Sequence, residues 1–211
     1  MIKYFIIDSE TSGLVSSYHE MTEISIINCD NKVQLTEFIK CDYPERANFD
    51  ALAITKKTIA DIAKGSSKKD VVAKINKFFN EDGLTPAHRC LVAHNAQFDR
   101  KFLFALYEKV GQTLPCDLWI CSMALTRAYA KKIGLVKPKV NLTASLEIAG
   151  IKKLAGQHAS KVDARNTYLL WNDLINNKGM DHLSFIKTIP QVLSNQFSDE
   201  EQGLDPALLD L

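Results

Sequence analysis

Short apolar runs broken by polar turn residues make the first 40 positions read as strands. Tyr4-Phe5-Ile6-Ile7 is a short apolar run ending at Asp8, so residues 3–8 predict a first strand. Residues 22–28 and 33–39 predict two more. Cys29-Asp30-Asn31-Lys32 between them has the Asp/Asn chemistry of a tight hairpin. Three successive strands joined this way predict an antiparallel meander. After an irregular stretch at Pro44 and short helical pieces from Asp50, the period changes. Val71, Val72, Ile75, Phe78 and Phe79 recur at helical spacing and stop at Asp82-Gly83. Residues 90–93 predict a buried strand. Phe98, Phe102, Leu103 and Leu106 mark a helix running to Gly111, and residues 118–120 a last short strand. Helices are expected over 122–133, 142–148 and 162–175, with a mobile loop at 134–141 around Pro138 and a final apolar segment at 183–193. Strands early, with helices between and after them, predict an α/β layered domain: a mixed central sheet, its first three strands antiparallel, flanked by helices.

Length fits one domain over residues 1–195 with a short appendage at 196–211. The appendage is acidic and expected to be flexible. Its Leu204, Leu208, Leu209 and Leu211 could dock as a short helix on a partner protein. At 46% hydrophobic and 24% charged residues, the composition is that of a globular chain. No run approaches the roughly 18–20 apolar residues that cross a bilayer, and the first apolar stretch is too short for a secretory signal. A cytoplasmic protein without membrane association is expected. Five cysteines form an odd set without a CxxC pair or a histidine cluster nearby, which predicts reduced thiols rather than disulfides or a zinc site.

A net charge of +1 hides an asymmetry. Between Leu125 and Arg165 nine Lys and Arg residues face only Glu147 and Asp163, whereas the last residues carry acids alone. A basic stripe is what a polyanionic partner requires, and Lys137 and Lys139 are candidates for holding a nucleic-acid strand. Trp119, Trp171 and Tyr168 are expected in the core. Phe98 suits either the core or stacking under a base.

The candidate chemistry lies in acids at the ends of apolar runs. Asp8 and Glu10 are two apart on a strand and share a face. Such a pair repels itself unless a cation sits between, and Mg²⁺ or Mn²⁺ prefer oxygen ligands of this kind. Thr11-Ser12-Gly13 then turns the chain and is expected to expose backbone N–H groups. Asp99 stands at the start of a helix, with Asn95 and Phe98 beside it. Asp163 falls in the first turn of a later helix. His158 precedes it in a loop, an imidazole free to take a proton from water.

Together, Phe5-Ile6-Ile7-Asp8-Ser9-Glu10-Thr11-Ser12-Gly13, Val92-Ala93-His94-Asn95-Ala96-Gln97-Phe98-Asp99 and His158-Ala159-Ser160-Lys161-Val162-Asp163-Ala164 resemble the three motifs of the DEDDh (DnaQ-like) 3′→5′ exonucleases. The likeness runs from residue 3 to about 175. Ser160, where a small apolar residue is usual, and Ser12 after Thr11 depart from the pattern without touching a ligand position. The resemblance implies an RNase H-like fold, two Mg²⁺ or Mn²⁺ ions, and hydrolysis of phosphodiester bonds from single-stranded or frayed 3′ ends. It implies that Asp8 bridges both ions, that Glu10 and Asp163 hold the first, that Asp99 supports the second, and that His158 is the general base. Thr11, Asn95, Phe98, Lys137 and Lys139 are the candidate substrate contacts. A DNA substrate is favoured, with proofreading or repair as the setting, as in the proofreading subunit of bacterial DNA polymerase III. The tail would then meet a polymerase or other replication protein. RNA trimming of the RNase T or oligoribonuclease type is the alternative, and a non-catalytic nucleic-acid-binding scaffold on the same fold a more distant one.

Overall fold

The structure is a computed structural model describing residues 1–156 and 158–188. Six strands form one sheet: β1 (Lys3–Thr11), β2 (Met21–Asn28), β3 (Gln34–Phe38), β4 (Arg89–Ala93), β5 (Leu118–Cys121) and β6 (Lys187–Thr188). Their order is β3-β2-β1-β4-β5-β6. β1, β2 and β3 pair antiparallel as the hairpin chemistry predicts, whereas β1–β4 and β4–β5 are parallel. The helices are α1 (Phe49–Thr55), α2 (Ile59–Ile62), α3 (Lys68–Asn80), α4 (Ala96–Lys109), α5 (Ser122–Lys132), α6 (Leu142–Ala149) and α7 (Ser160–Asn176).

The sheet separates two cores. Phe5, Ile7, Ile24 and Ile26 point to one face, under Val71, Ile75 and Phe79 of α3 and Phe102, Leu103 and Leu106 of α4. Ile6, Ile27, Val92 and Ile120 point to the other, under Leu125 of α5, Leu146 of α6 and Leu170, Trp171 and Leu174 of α7. Covered on both faces, β2 and β4 are buried along their whole length; β4 reads as an apolar run after Arg89 for that reason, whereas β2 buries Thr22, Glu23 and Ser25 among its isoleucines. Local chemistry sets the helix starts. The side chains of Asn48, Ser67 and Asn141 accept N–H groups in the first turns of α1, α3 and α6, and Thr58 with Asp61 closes a capping box on α2.

Three expectations change. β1 does not end at Asp8 but runs to Thr11, because Glu10 still pairs with Glu23 of β2 before the register shifts. The segment after Leu183 is not simply apolar: a short turn at Leu183–Phe185 leads into β6, whose Lys187 and Thr188 are exposed. Tyr168 is only half-buried, while Trp119 and Trp171 are core residues as expected. The domain limit at 195 and the acidic tail lie outside the described residues. All five cysteines are free thiols. Among the described residues no helix is long and apolar enough to cross a membrane.

One buried charge ties the edge of the parallel strands to the preceding loop. Arg89 is 1% exposed. Its Nε lies 3.1 Å from both carboxylate oxygens of Asp82, and its terminal nitrogens also donate to the Leu84 and Pro115 carbonyls. Removing the carboxylate leaves a guanidinium buried without its counter-charge. Asp82→Ala should therefore cost about 3–5 kcal/mol in urea unfolding, and a loss below about 1 kcal/mol would mean that water replaces the pair.

Candidate metal centre

Acids from three separate elements meet near the carboxyl ends of β1 and β4. Asp8 and Glu10 come from β1 and Asp163 from the first turn of α7. One carboxylate oxygen from each lies within 4.8 Å of the others. Asp99, in the first turn of α4, stands outside that tight group. It is 4% exposed, and its Oδ1 accepts the Ser9 hydroxyl at 2.7 Å. It is close enough that, after burial itself, its charge is the largest influence on Asp8.

Burial and mutual repulsion set the electrostatics. Asp8 is held well above the ordinary carboxylate range by burial, then by Asp99, Glu10, Asp163 and Glu23. Glu10 is pushed up to about 8, mainly by burial. The Lys57 ammonium opposes that rise, while Glu23, Asp163 and Asp99 add to it. Asp99 rises to about 7 by burial, against the hydrogen bond from Ser9. Such a cluster fits a divalent cation, whose oxygen ligands are hard carboxylates, and is costly to ionise without one.

The third motif is built by its backbone. His158 adopts the left-handed conformation (φ 62°), uncommon for a residue with a side chain, and Gly156 before it has φ 101°. The His158 N–H donates to Asp163 Oδ2 at 3.0 Å, so the bend that carries the imidazole is locked to a metal-ligand candidate. Asn166 Nδ2 lies 3.5 Å from the other oxygen of Asp163. Asn95 is likewise left-handed (φ 69°) at the start of α4, and its side chain makes no cap bond. Phe98 is half-buried against Phe102, with ring centroids 5.0 Å apart. The buried Thr11 hydroxyl donates to the Gly13 carbonyl at 2.6 Å and so shapes the turn. The expectation that this turn frees its backbone N–H groups does not hold at Ser12, which donates to the Glu20 carbonyl at 2.8 Å. Lys137 and Lys139 are exposed. Their loop is pinned beside the second motif where the Val140 carbonyl meets His94 Nε2 at 2.8 Å.

The structure adds Glu23 and Lys57, which lie outside the motifs, and gives roles to Ser9 and Ser160 within them. Glu23, opposite Glu10 in the sheet, is 3% exposed and pairs with Lys57 at 2.6 Å. Ser160 Oγ donates to Glu23 Oε1 at 2.8 Å, and Ser9 holds Asp99. The polar positions of Thr22-Glu23-Ile24-Ser25 alternate in phase with Asp8 and Glu10, a signal for Glu23 that is readable in the sequence. Lys57 lies in a short irregular stretch and has no such signal.

The mixed six-stranded sheet with helices on both faces is an RNase H-like fold. A family model described as Exonuclease (RNase T) matches residues 5–171, and the chain belongs to that family, the DnaQ-like 3′→5′ exonucleases. It is 28% identical over 192 residues to a PolC-type DNA polymerase III from Listeria monocytogenes, covering 86% of this chain and 12% of that one. A PolC-type polymerase from Pediococcus pentosaceus is 32% identical over 114 residues, 52% of this chain and 7% of the relative. The chain thus spans only about an eighth of the length of the former and less of the latter. The nuclease domain of 3′hExo bound to rAMP superposes with a TM-score of 0.68 at 15% identity, over 90% of this chain and 97% of that one. E. coli exonuclease I in complex with a dT13 oligonucleotide gives 0.68 at 15% identity, over 83% and 41%.

The raised carboxylates have a consequence for stability. Between the ordinary 4.5 and about 8, Glu10 binds a proton in the folded chain that it lacks in the unfolded one, and Asp8 and Asp99 act in the same direction. Without metal, stability therefore falls as pH rises through neutrality. Melting temperatures in chelator should drop from pH 6 to pH 9, and excess Mg²⁺ should restore most of the loss at the upper end. A flat profile in chelator would mean that the carboxylates ionise without penalty.

Proposed function

We propose that this chain is a DNA-directed 3′→5′ exonuclease of the proofreading or repair kind, working with two divalent cations, Mg²⁺ or Mn²⁺. The observation that carries the reading is the convergence of Asp8, Glu10 and Asp163 within 4.8 Å, in a desolvated site flanked by Asp99. Asp8, Glu10 and Asp163 would hold the cations, with Asp99 in support. Bound there, the ions would supply an acidified water and neutralise the charge that develops on a phosphodiester. His158 takes the proton of the attacking water, and its strained backbone, tied to Asp163, keeps the imidazole beside the ligands without committing it to them. Asn95 offers a side-chain amide unused by its helix, and Phe98 an edge for the terminal base. Lys137 and Lys139 would hold the backbone further along. The relation to PolC-type polymerases over most of this chain supports DNA as the substrate and a polymerase as the working partner.

Asp8→Asn and Asp163→Asn should each abolish release of nucleotides from labelled single strands. Both should also raise the melting temperature in chelator, by relieving repulsion, while losing the Mg²⁺-induced increase. Retained nuclease activity in both would place the chemistry elsewhere. His158→Ala should slow hydrolysis by about 10²-fold or more with the Mg²⁺ response of the melting temperature intact; a parallel loss of that response would make His158 a ligand instead. Ladders of labelled DNA and RNA, digested side by side, decide the substrate. Faster trimming of RNA would replace the DNA reading with an exoribonuclease.

A further inference from the structure

Behind the first turn of α7, on the side away from the carboxylates, lies a pocket of about 600 Å³ lined by Ile27, Lys32, Gln34, Thr36, Lys161, Arg165 and Tyr168. Three of its walls' side chains are cations and none is an acid. Among the described residues no carboxylate comes within salt-bridge distance of Lys32, Lys161 or Arg165. Lys161, Arg165 and Tyr168 share one face of α7 at helical spacing, whereas Asp163 projects from the opposite side. Arg165 is pre-positioned. Its Nε donates to Gln34 Oε1 at 2.8 Å, and the same amide donates to the Lys161 carbonyl at 2.9 Å. Its terminal nitrogens meet no protein acceptor among the described residues.

The pocket exists because α7 packs chiefly over β1 and β2 and reaches the edge strand β3 through the hydrogen bonds of Gln34. Its relation to the metal centre follows from the register. Asp8, Ser25 and Thr36 stand in one row across β1, β2 and β3. At about 4.8 Å per strand, the inner end of the pocket lies about 10 Å across the sheet from Asp8. The row is continuous in hydrogen-bonding groups: Thr36 Oγ1 is 2.6 Å from Ser25 Oγ, which is 3.1 Å from Ser160 Oγ.

We propose that this pocket is a second nucleic-acid site, which grips the phosphates of a single strand at nucleotides away from the 3′ end under hydrolysis. Lys32 and Lys161 act as point charges, Arg165 presents a fork for phosphate oxygens, and Tyr168 offers a ring edge to a base. Nucleic acid is favoured over an acidic peptide because the cations lie on the same sheet face as the metal centre. A polyanion that leaves that centre along the row Asp8, Ser25 and Thr36 passes them. The proposal rests on the exonuclease reading for its purpose, but binding can be measured without turnover.

The test compares the unaltered chain with Lys32→Gln/Lys161→Gln/Arg165→Gln, all exposed positions outside the metal centre. In chelator, a fluorescein-labelled oligothymidylate of about twenty nucleotides should bind the triple variant at least about tenfold more weakly, with the salt slope reduced by about 2, three phosphates at about 0.7 each. With Mg²⁺, KM for that strand should rise while the rate on a dinucleotide, too short to reach the pocket, stays unchanged. Arg165→Lys should keep most of the affinity. Unchanged affinity and salt slope in the triple variant would overturn the proposal, as would equal losses on the dinucleotide, or poly-glutamate competing as well as the oligonucleotide. If the unaltered chain hydrolyses nothing yet loses oligonucleotide binding in the triple variant, the pocket stands and the exonuclease reading fails.

Discussion

Repulsion among carboxylates that the fold has withdrawn from water is the constraint on which this molecule is arranged. Asp8, Glu10 and Asp99 are held where burial disfavours their charge, and the neighbouring carboxylates make Asp8 and Glu10 harder still to ionise. Two cores of aliphatic and aromatic side chains hold them there. The centre is thus a site of stored electrostatic cost, offset when a cation enters. Carboxylate oxygens of this kind suit hard divalent cations.

The surroundings moderate that cost unevenly. Lys57 neutralises Glu23 next to Glu10, and the Ser9 hydroxyl supports Asp99. Ser160, the one departure from the family pattern inside the third motif, is explained by its position. Fully buried, its hydroxyl satisfies Glu23, an acid that an apolar residue at 160 would leave with Lys57 alone. A polar residue at one position and a second acid at another act as a matched pair, joined to a lysine from a different segment.

Much of this was legible in the chain. The hairpin residues Asp30 and Asn31 announced the antiparallel β2–β3 pair, and helical spacing located α3, α4 and α7, because in each case burial of one face dictates the period. That Asp8, Glu10 and Asp163 come together follows in the sequence from an acidic pair closing an apolar run and from an acid five residues after His158 at a helix start. Lys57 was not legible, because an ion pair between residues 34 apart leaves no local trace. Nor was the pocket beside β3, which depends on where α7 comes to rest on the sheet. β6 was hidden by its composition: two exposed residues pair with β5 through backbone groups alone, so their side chains carry no strand signature. The turn at Ser12 misled because backbone donors that seem spare in a sequence are claimed by a partner eight residues later.

The acids of the centre are distributed over β1, α4 and α7, and more than 150 positions of sequence separate the first from the last. No fragment that stops short of α7 can assemble them. A polypeptide still emerging during synthesis, or one cut before α7 docks, lacks Asp163 and the bend at His158 together. Cation binding at this cluster therefore waits until α7 has been made and has docked on the sheet.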